Sequence, residues 1–245
     1  MKACGITDTG LVRRDNQDSF AIASGALEGD VVALVCDGMG GASSGLLASS
    51  LAVNTFMEQI GTVANAEMGI PQLREASSYC VAQANRAVYD RAQSSEADRG
   101  MGTTLVAAVT SGDDVVICNV GDSRAYHLGN NGISRITRDH SVVEGLIESG
   151  DITAEQARSH PNRNLITRAL GPEERTQCDV YELSLAREEG ILLCSDGLVV
   201  TMTDEEIFST IQAEPAPAAQ LKALIALAKR RGAPDNVTAV LLYNV

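Results

Sequence analysis

Positive charge is scarce in this chain. Its 245 residues hold 19 lysines and arginines against 32 aspartates and glutamates, a net charge of −13. That balance excludes nucleic acid and anionic membranes as principal partners, since both demand a basic face. Long apolar runs are missing too. None approaches the roughly 20 residues that span a bilayer, and the opening MKACGITDTG lacks the apolar stretch of a secretory signal, so the expected location is the cytoplasm. Histidine occurs only three times, and the six cysteines (Cys4, Cys36, Cys80, Cys118, Cys178 and Cys194) include no CxxC pair. Reduced, structural thiols are expected, in keeping with a reducing compartment. Repeats, low-complexity tracts and long linkers are absent, EPAPAA at 214–219 being too short to separate domains, so residues 1–245 read as a single domain.

What the chain does have is a series of buried strands and amphipathic helices. VVALVC (31–36) is an uninterrupted apolar run that reads as a strand covered on both faces. Residues 41–60 suit a helix whose small residues sit close to a sheet. From Pro71 to Gln93, Leu73, Ala76, Cys80, Ala84, Ala87 and Val88 recur at helical spacing, and Pro71 fits a first turn. GTTLVAAVT, VVICNVGDSRAYHL and ISRIT then form a meander of three strands with Gly and Asn in the turns. Short helices are expected at 142–149 and from about Thr153, strands at CDVYELSL and GILLCSDG, helices at 203–212 and 217–231, and a last strand at NVTAVLLYN. Consecutive hairpins without regular βαβ alternation define an α+β class with largely antiparallel sheets.

Acids recur at the ends of these strands. VVALVC runs into Asp37-Gly38, ILLCS into Asp196-Gly197, VVICNVG into Asp122, and Asp235-Asn236 directly precedes the final strand. One such acid beside glycine only marks a turn. Four of them against strongly apolar strands, in an acidic chain, point to a metal site, because an unpaired buried carboxylate is costly. Oxygen ligands without Cys or His spacing select a hard cation, Mg²⁺ or Mn²⁺ rather than zinc. Gly38 offers its carbonyl as a further ligand.

The segments RRDNQD (13–18), VCDGMGG (35–41), GTT (102–104), NVGDSRAY (119–126), TRDHS (137–141), HPNRNLITRALG (160–171), CSDGL (194–198) and PDNVTAVLL (234–242) occur in the order found in bacterial PP2C-type (PPM) protein phosphatases. The chain resembles that family from Thr7 to Leu242. The resemblance implies an α-β-β-α sandwich, two mainly antiparallel sheets flanked by helix pairs, with a two-metal site at one edge. It implies a metal-dependent serine/threonine protein phosphatase with phosphorylated protein substrates, opposing a bacterial Ser/Thr kinase; nothing in the sequence indicates an obligate oligomer, and a monomer is the default expectation. Carried over by motif, Asp37 bridges two Mn²⁺ or Mg²⁺ ions, Asp196 and Asp235 complete the first site, the Gly38 carbonyl serves the second, and Asp122 takes a weaker third ion. Asp18 holds the attacking water, a hydroxide shared by the two ions, and Arg13 grips the phosphate through its planar fork of donors. Residues 138–176 correspond to the family's flap. A haloacid-dehalogenase-type phosphatase is excluded, since no Asp-x-Asp loop follows the first strand.

Some positions depart from the family pattern. Where many relatives carry a His proposed as general acid, this chain has Met39 and Ala42. Gln17 stands where relatives have Glu, and Val200 where many have an acid that would support the third ion. Ser195, His127, His140 and His160 read as structural. Arg138, Arg163 and Arg168 either touch an acidic or phosphorylated partner or pair with Glu144, Glu148 and Glu155. The alternative function is a catalytically weak or silent regulatory binding module of the same fold. Retention of Arg13, Asp18, Asp37, Asp196 and Asp235 speaks against it.

Overall fold

Apolar runs that cannot face water pair edge to edge and are then covered. The structure, a computed structural model, describes residues 1–24, 30–41, 43–65 and 67–245. Among these residues one sheet has the order β1 (Lys2–Asp8), β11 (Val237–Tyr243), β10 (Gly190–Cys194), β7 (Arg124–Gly129), β8 (Gly132–Arg135). The other runs β2 (Asp18–Ser24), β3 (Val31–Met39), β5 (Leu105–Ser111), β6 (Asp114–Val120), β9 (Asp179–Ser184), with the two-residue β4 (Gly102–Thr103) beside the end of β3. Every neighbouring pair is antiparallel.

The uninterrupted apolar character of β3 follows from its place in four layers. Successive side chains of a strand point to opposite faces. Val31, Ala33 and Val35 fill the seam between the sheets with Ile117, Ile191, Leu193, Val240 and Leu242. Val32, Leu34 and Cys36 face α1 (Ser44–Val63) and α2 (Ile70–Ser94), meeting Phe56, Ile60, Leu73 and Cys80. On the far side Leu192, Cys194 and Leu241 pack against α6 (Asp204–Gln212) and α7 (Pro217–Arg230) through Ile207, Ile211, Leu224 and Ile225. Cys36, Cys118 and Cys194 are buried among these apolar groups, as expected of small hydrophobes. The α-β-β-α sandwich is therefore present, and no described helix is long and apolar enough to cross a membrane.

Between β8 and β9 lie α3 (Val142–Glu148) and α4 (Ala154–Arg158), the latter opened by a capping box in which Thr153 and Gln156 exchange hydrogen bonds. The four-residue α5 (Asp196–Val199) follows β10.

Two strand expectations need correction. VVICNVGDSRAYHL is two strands, β6 and β7, and they belong to different sheets. The Gly121–Ser123 turn between them carries the chain across the sandwich, which an apolar count along the sequence does not register. GTTLVAAVT likewise breaks at Thr104, whose backbone N–H turns to the Asp37 carbonyl (2.9 Å). Strands β1 and β2 lie outside the sequence expectations altogether, their small and polar residues giving little contrast.

Ile117 is fully buried in the seam. Ile117→Ala is expected to cost about 2–5 kcal/mol, read as a lower urea midpoint with an unchanged slope.

Candidate metal centre

Strand ends from both sheets meet at one edge of the sandwich. β2 and β3 pair with Asp18 directly opposite Asp37, a juxtaposition of like charges that a sheet ordinarily disfavours. Asp196 opens α5 where β10 ends, Asp235 stands two residues before β11, and Asp122 lies in the turn after β6. Asp37, Asp196, Asp235 and Asp122, with Arg13, Gly38, Met39 and Gln17, line a cavity of about 420 Å³. All the residues expected at the site are thus brought together, with Asp18 buried just behind the cavity wall.

Hydroxyls hold Asp18 and the Asp37 peptide from behind. The Asp37 peptide is held on both sides. Its N–H donates to Thr104 Oγ1 (2.9 Å), and its carbonyl accepts from the Thr103 hydroxyl (2.9 Å). Thr104 Oγ1 also meets Ser123 Oγ at 2.7 Å, tying β5 to the turn that carries Asp122. Oδ2 of Asp18 accepts from Ser195 Oγ (2.8 Å) and Thr238 Oγ1 (2.6 Å), so Ser195 is a buried support. Asn236 staples the loop that carries Arg13: its Oδ1 accepts from the Gln17 N–H, and its Nδ2 donates to the carbonyls of Thr9 and Asp15. Thr103, Thr104, Ser123, Asn236 and Thr238 do not stand out from the sequence, although GTT, GDSR and PDNVT contain them.

The two Asp-Gly pairs share one reason for their glycine. A Cβ on Gly38 would stand 2.0 Å from the Gly45 carbonyl oxygen, and one on Gly197 would stand 1.9 Å from that of Asn236. In both cases another backbone crosses where a side chain would be.

These acids are poorly compensated. Burial, then the charges of Asp18, Asp196, Asp122 and Asp235, push Asp37 well above the usual carboxylate range. Burial followed by Asp122, Asp235 and Asp18 raises Asp196 to about 8. Burial lifts Asp18 and Asp122 to about 6. Oδ1 of Asp18 and Oδ1 of Asp196 are buried and have no hydrogen-bond partner among the described residues. Arg13 reaches the cluster directly, its Nη2 donating to Asp235 Oδ2 at 2.7 Å. Among the described residues no three acidic, imidazole or thiol side chains already close on one point. They line the cavity wall, an arrangement suited to hard cations that retain several waters. Orphan carboxylate oxygens, mutual repulsion and an all-oxygen donor set fit divalent Mg²⁺ or Mn²⁺.

The flap arginines divide. Arg138 pairs with Glu148, as one of the two readings had it, and Arg168 with Asp179 at 2.8 Å. Arg163 lines a second cavity of about 780 Å³ that adjoins the first through Asp122, Asn164 and Asp196. Val200 lines the same cavity and is exposed. His127 meets Glu189 at 3.1 Å, His160 Nδ1 accepts from the Asn162 N–H, and His140 is buried. Ala42 lies outside the described residues.

Residues 12–230 match the family model of Protein phosphatase 2C. The serine/threonine phosphatase stp of Listeria welshimeri is 34% identical over 239 residues, covering 96% of this chain and 93% of its own length. The solved serine/threonine phosphatase Stp1 from Staphylococcus aureus superposes with a TM-score of 0.92 at 34% identity, over 99% of this chain and 94% of that one. The catalytic domain of the serine threonine protein phosphatase PstP in complex with two manganese ions gives 0.84 at 32% identity, over 98% and 96%. This chain belongs to the protein phosphatase 2C family, and as such it is a phosphoprotein phosphatase of a metal-dependent class. The reading as a silent binding module finds no support.

Asp196→Asn removes a carboxylate that the metal-free fold holds at a loss. Stripped of divalent ions at neutral pH, the variant is expected to melt above the wild type. The sign follows from linkage: the folded state holds the proton more tightly than the unfolded one, so the wild type loses stability as pH rises from about 4 towards 8. The variant's profile should be flatter over that range. Equal melting temperatures and parallel profiles would contradict this electrostatic account.

Proposed function

We propose that the chain hydrolyses phosphoserine and phosphothreonine in proteins with two Mn²⁺ or Mg²⁺ ions at the acidic edge, opposing a Ser/Thr kinase. It acts as a monomeric cytoplasmic domain over residues 1–245, with 138–176 as a flap beside the site. Asp37 would span both ions, Asp196 and Asp235 would serve the first, the Gly38 carbonyl the second, and Asp122 a weaker third. When bound, the ions would make hydroxide available near neutral pH and offset charge on the phosphate.

The chain's own residues supply positioning. Oδ2 of Asp18 is engaged by Ser195 and Thr238 while Oδ1 has no hydrogen-bond partner among the described residues, so Oδ1 is left to accept a hydrogen bond from the attacking water and orient it. Arg13 presents a planar fork to the phosphoryl oxygens, on a loop that Asn236 immobilises. Among the described residues no imidazole lines the cavity, where Met39 stands, and the leaving alkoxide takes its proton from water. The observation that carries the reading is the convergence of four acids from distant segments on one cavity, with buried carboxylate oxygens left unpartnered.

The experiment is hydrolysis of a phosphothreonine peptide by chelator-stripped protein, before and after Mn²⁺ is added. Mn²⁺-restored turnover is expected. Asp37→Ala should abolish it while the circular dichroism stays that of the folded chain. Arg13→Ala should lower kcat/KM by about 10²–10³-fold, and Asp122→Ala should raise the Mn²⁺ needed for half-maximal rate. Full activity in Asp37→Ala would overturn the ligand assignment.

A further inference from the structure

His140 touches none of the site acids, yet it holds the turn that carries one of them. The Gly121 N–H donates to His140 Nδ1 (3.0 Å), and the His140 N–H donates to the Gly121 carbonyl (2.9 Å). Both main-chain polar groups of Gly121, a residue with left-handed φ of 107° at the crossing between the sheets, are therefore bound by one residue. Because Nδ1 accepts from the Gly121 N–H, the ring proton sits on Nε2, which donates to Asp179 Oδ2 (3.1 Å) and also stands 3.2 Å from Arg168 Nη1. Asp179 is itself fixed. It opens β9 opposite Asn119 of β6, and its Oδ1 accepts from Arg168 Nη1 (2.8 Å). The Asn119 amide adds a bond to the Arg138 carbonyl (3.0 Å). Finally the His140 carbonyl accepts from the Thr167 N–H (2.7 Å), beside Asn164 and Ile166, which line the reaction cavity.

We propose that His140 is the positioning residue of the Gly121–Asp122 turn: its Nδ1 and main chain set where the Asp122 carboxylate stands, and Asp179 with Arg168 hold the ring in that setting. The geometry resembles a carboxylate–histidine pair aimed at a backbone amide in place of a metal. It joins the 164–168 limb to Asp122 through one buried ring, so the seating of that limb and the placement of the carboxylate are mechanically one. The inference rests on Asp122 serving the site.

His140→Asn keeps an acceptor close to the place of Nδ1 but loses the link to Asp179, and His140→Leu keeps bulk and loses both. Two quantities are measured on the full chain: hydrogen exchange of the Gly121 amide in the stripped protein, and the Mn²⁺ concentration for half-maximal hydrolysis of a phosphothreonine peptide. His140→Leu is expected to speed the exchange and raise the Mn²⁺ requirement by about 10-fold or more, the scale on which partners behind a ligand act, with kcat at saturating Mn²⁺ little changed. His140→Asn should stay much nearer the wild type in both, and His140→Leu should add nothing to Asp122→Ala. A folded His140→Leu with a protected Gly121 amide and an unaltered requirement overturns the proposal. So does an Asn variant as impaired as the Leu variant, since bulk and not the acceptor would then matter. Should the Leu variant not fold, Asp179→Ala loosens the ring from outside the turn and is expected to move both readouts the same way by less; no movement overturns the proposal. If Asp122→Ala leaves the wild-type Mn²⁺ requirement unaltered, the ligand role of Asp122 falls, and the Gly121 exchange alone decides the clamp.

Discussion

Crowding of buried carboxylates at one edge of a sandwich is the constraint on which this structure depends. Asp37 feels burial first and four other acids after it, and among the described residues Arg13 answers the cluster directly, through Asp235. In a low-dielectric setting, like charges at such spacing cost far more than they would in water. A fold selected for stability alone would not keep them. The surrounding order is best understood as what makes the arrangement tolerable: strand pairing puts Asp18 across from Asp37, and hydroxyls from Thr103, Thr104, Ser195 and Thr238 supply the bonds that leave the carboxylates few other places to go.

The sandwich is suited to this because strand ends of both sheets and the turn between them share one rim. Sheet one contributes Asp196 and Asp235 from the ends of β10 and β11, and sheet two contributes Asp18 and Asp37 from β2 and β3. Asp122 comes from the turn between the sheets. The three apolar layers, one in the seam and one under each helix pair, hold the sheets in fixed relation. Close-packed layers of this kind transmit small displacements instead of absorbing them, so the site inherits its precision from core residues far from it.

Much of this is legible in the sequence, for identifiable reasons. Residues 31–36 of β3 and 191–194 of β10 are apolar throughout because both their faces are covered, and a run of that kind leading into Asp-Gly stands out against an otherwise mixed chain. α2, α6 and α7 keep helical spacing and lie within one or two residues of expectation. The acids are legible as a set because each occupies the same local context. Less legible are β1 and β2, whose alternation is diluted by glycine, alanine and hydroxyl residues, and the division of VVICNVGDSRAYHL between two sheets. Neither the opposition of Asp18 and Asp37 nor the grip of Asn236 on the Arg13 loop has a one-dimensional signature, since each joins residues more than 18 positions apart. His140 reads as structural from its place in the flap segment; which backbone it supports depends on how β6, β9 and the 164–168 limb come together.

The most direct test of the central claim is calorimetric titration of Mn²⁺ into the stripped full chain, repeated in two buffers of different ionisation enthalpy. If buried, mutually repelling acids form the ion site, some of them are protonated before the ion arrives, and binding must expel protons. Saturable Mn²⁺ binding is expected, with net proton release that grows as pH is lowered from 8 towards 6.5. Binding with no proton exchange at any pH in that range, or no binding at all, would contradict it.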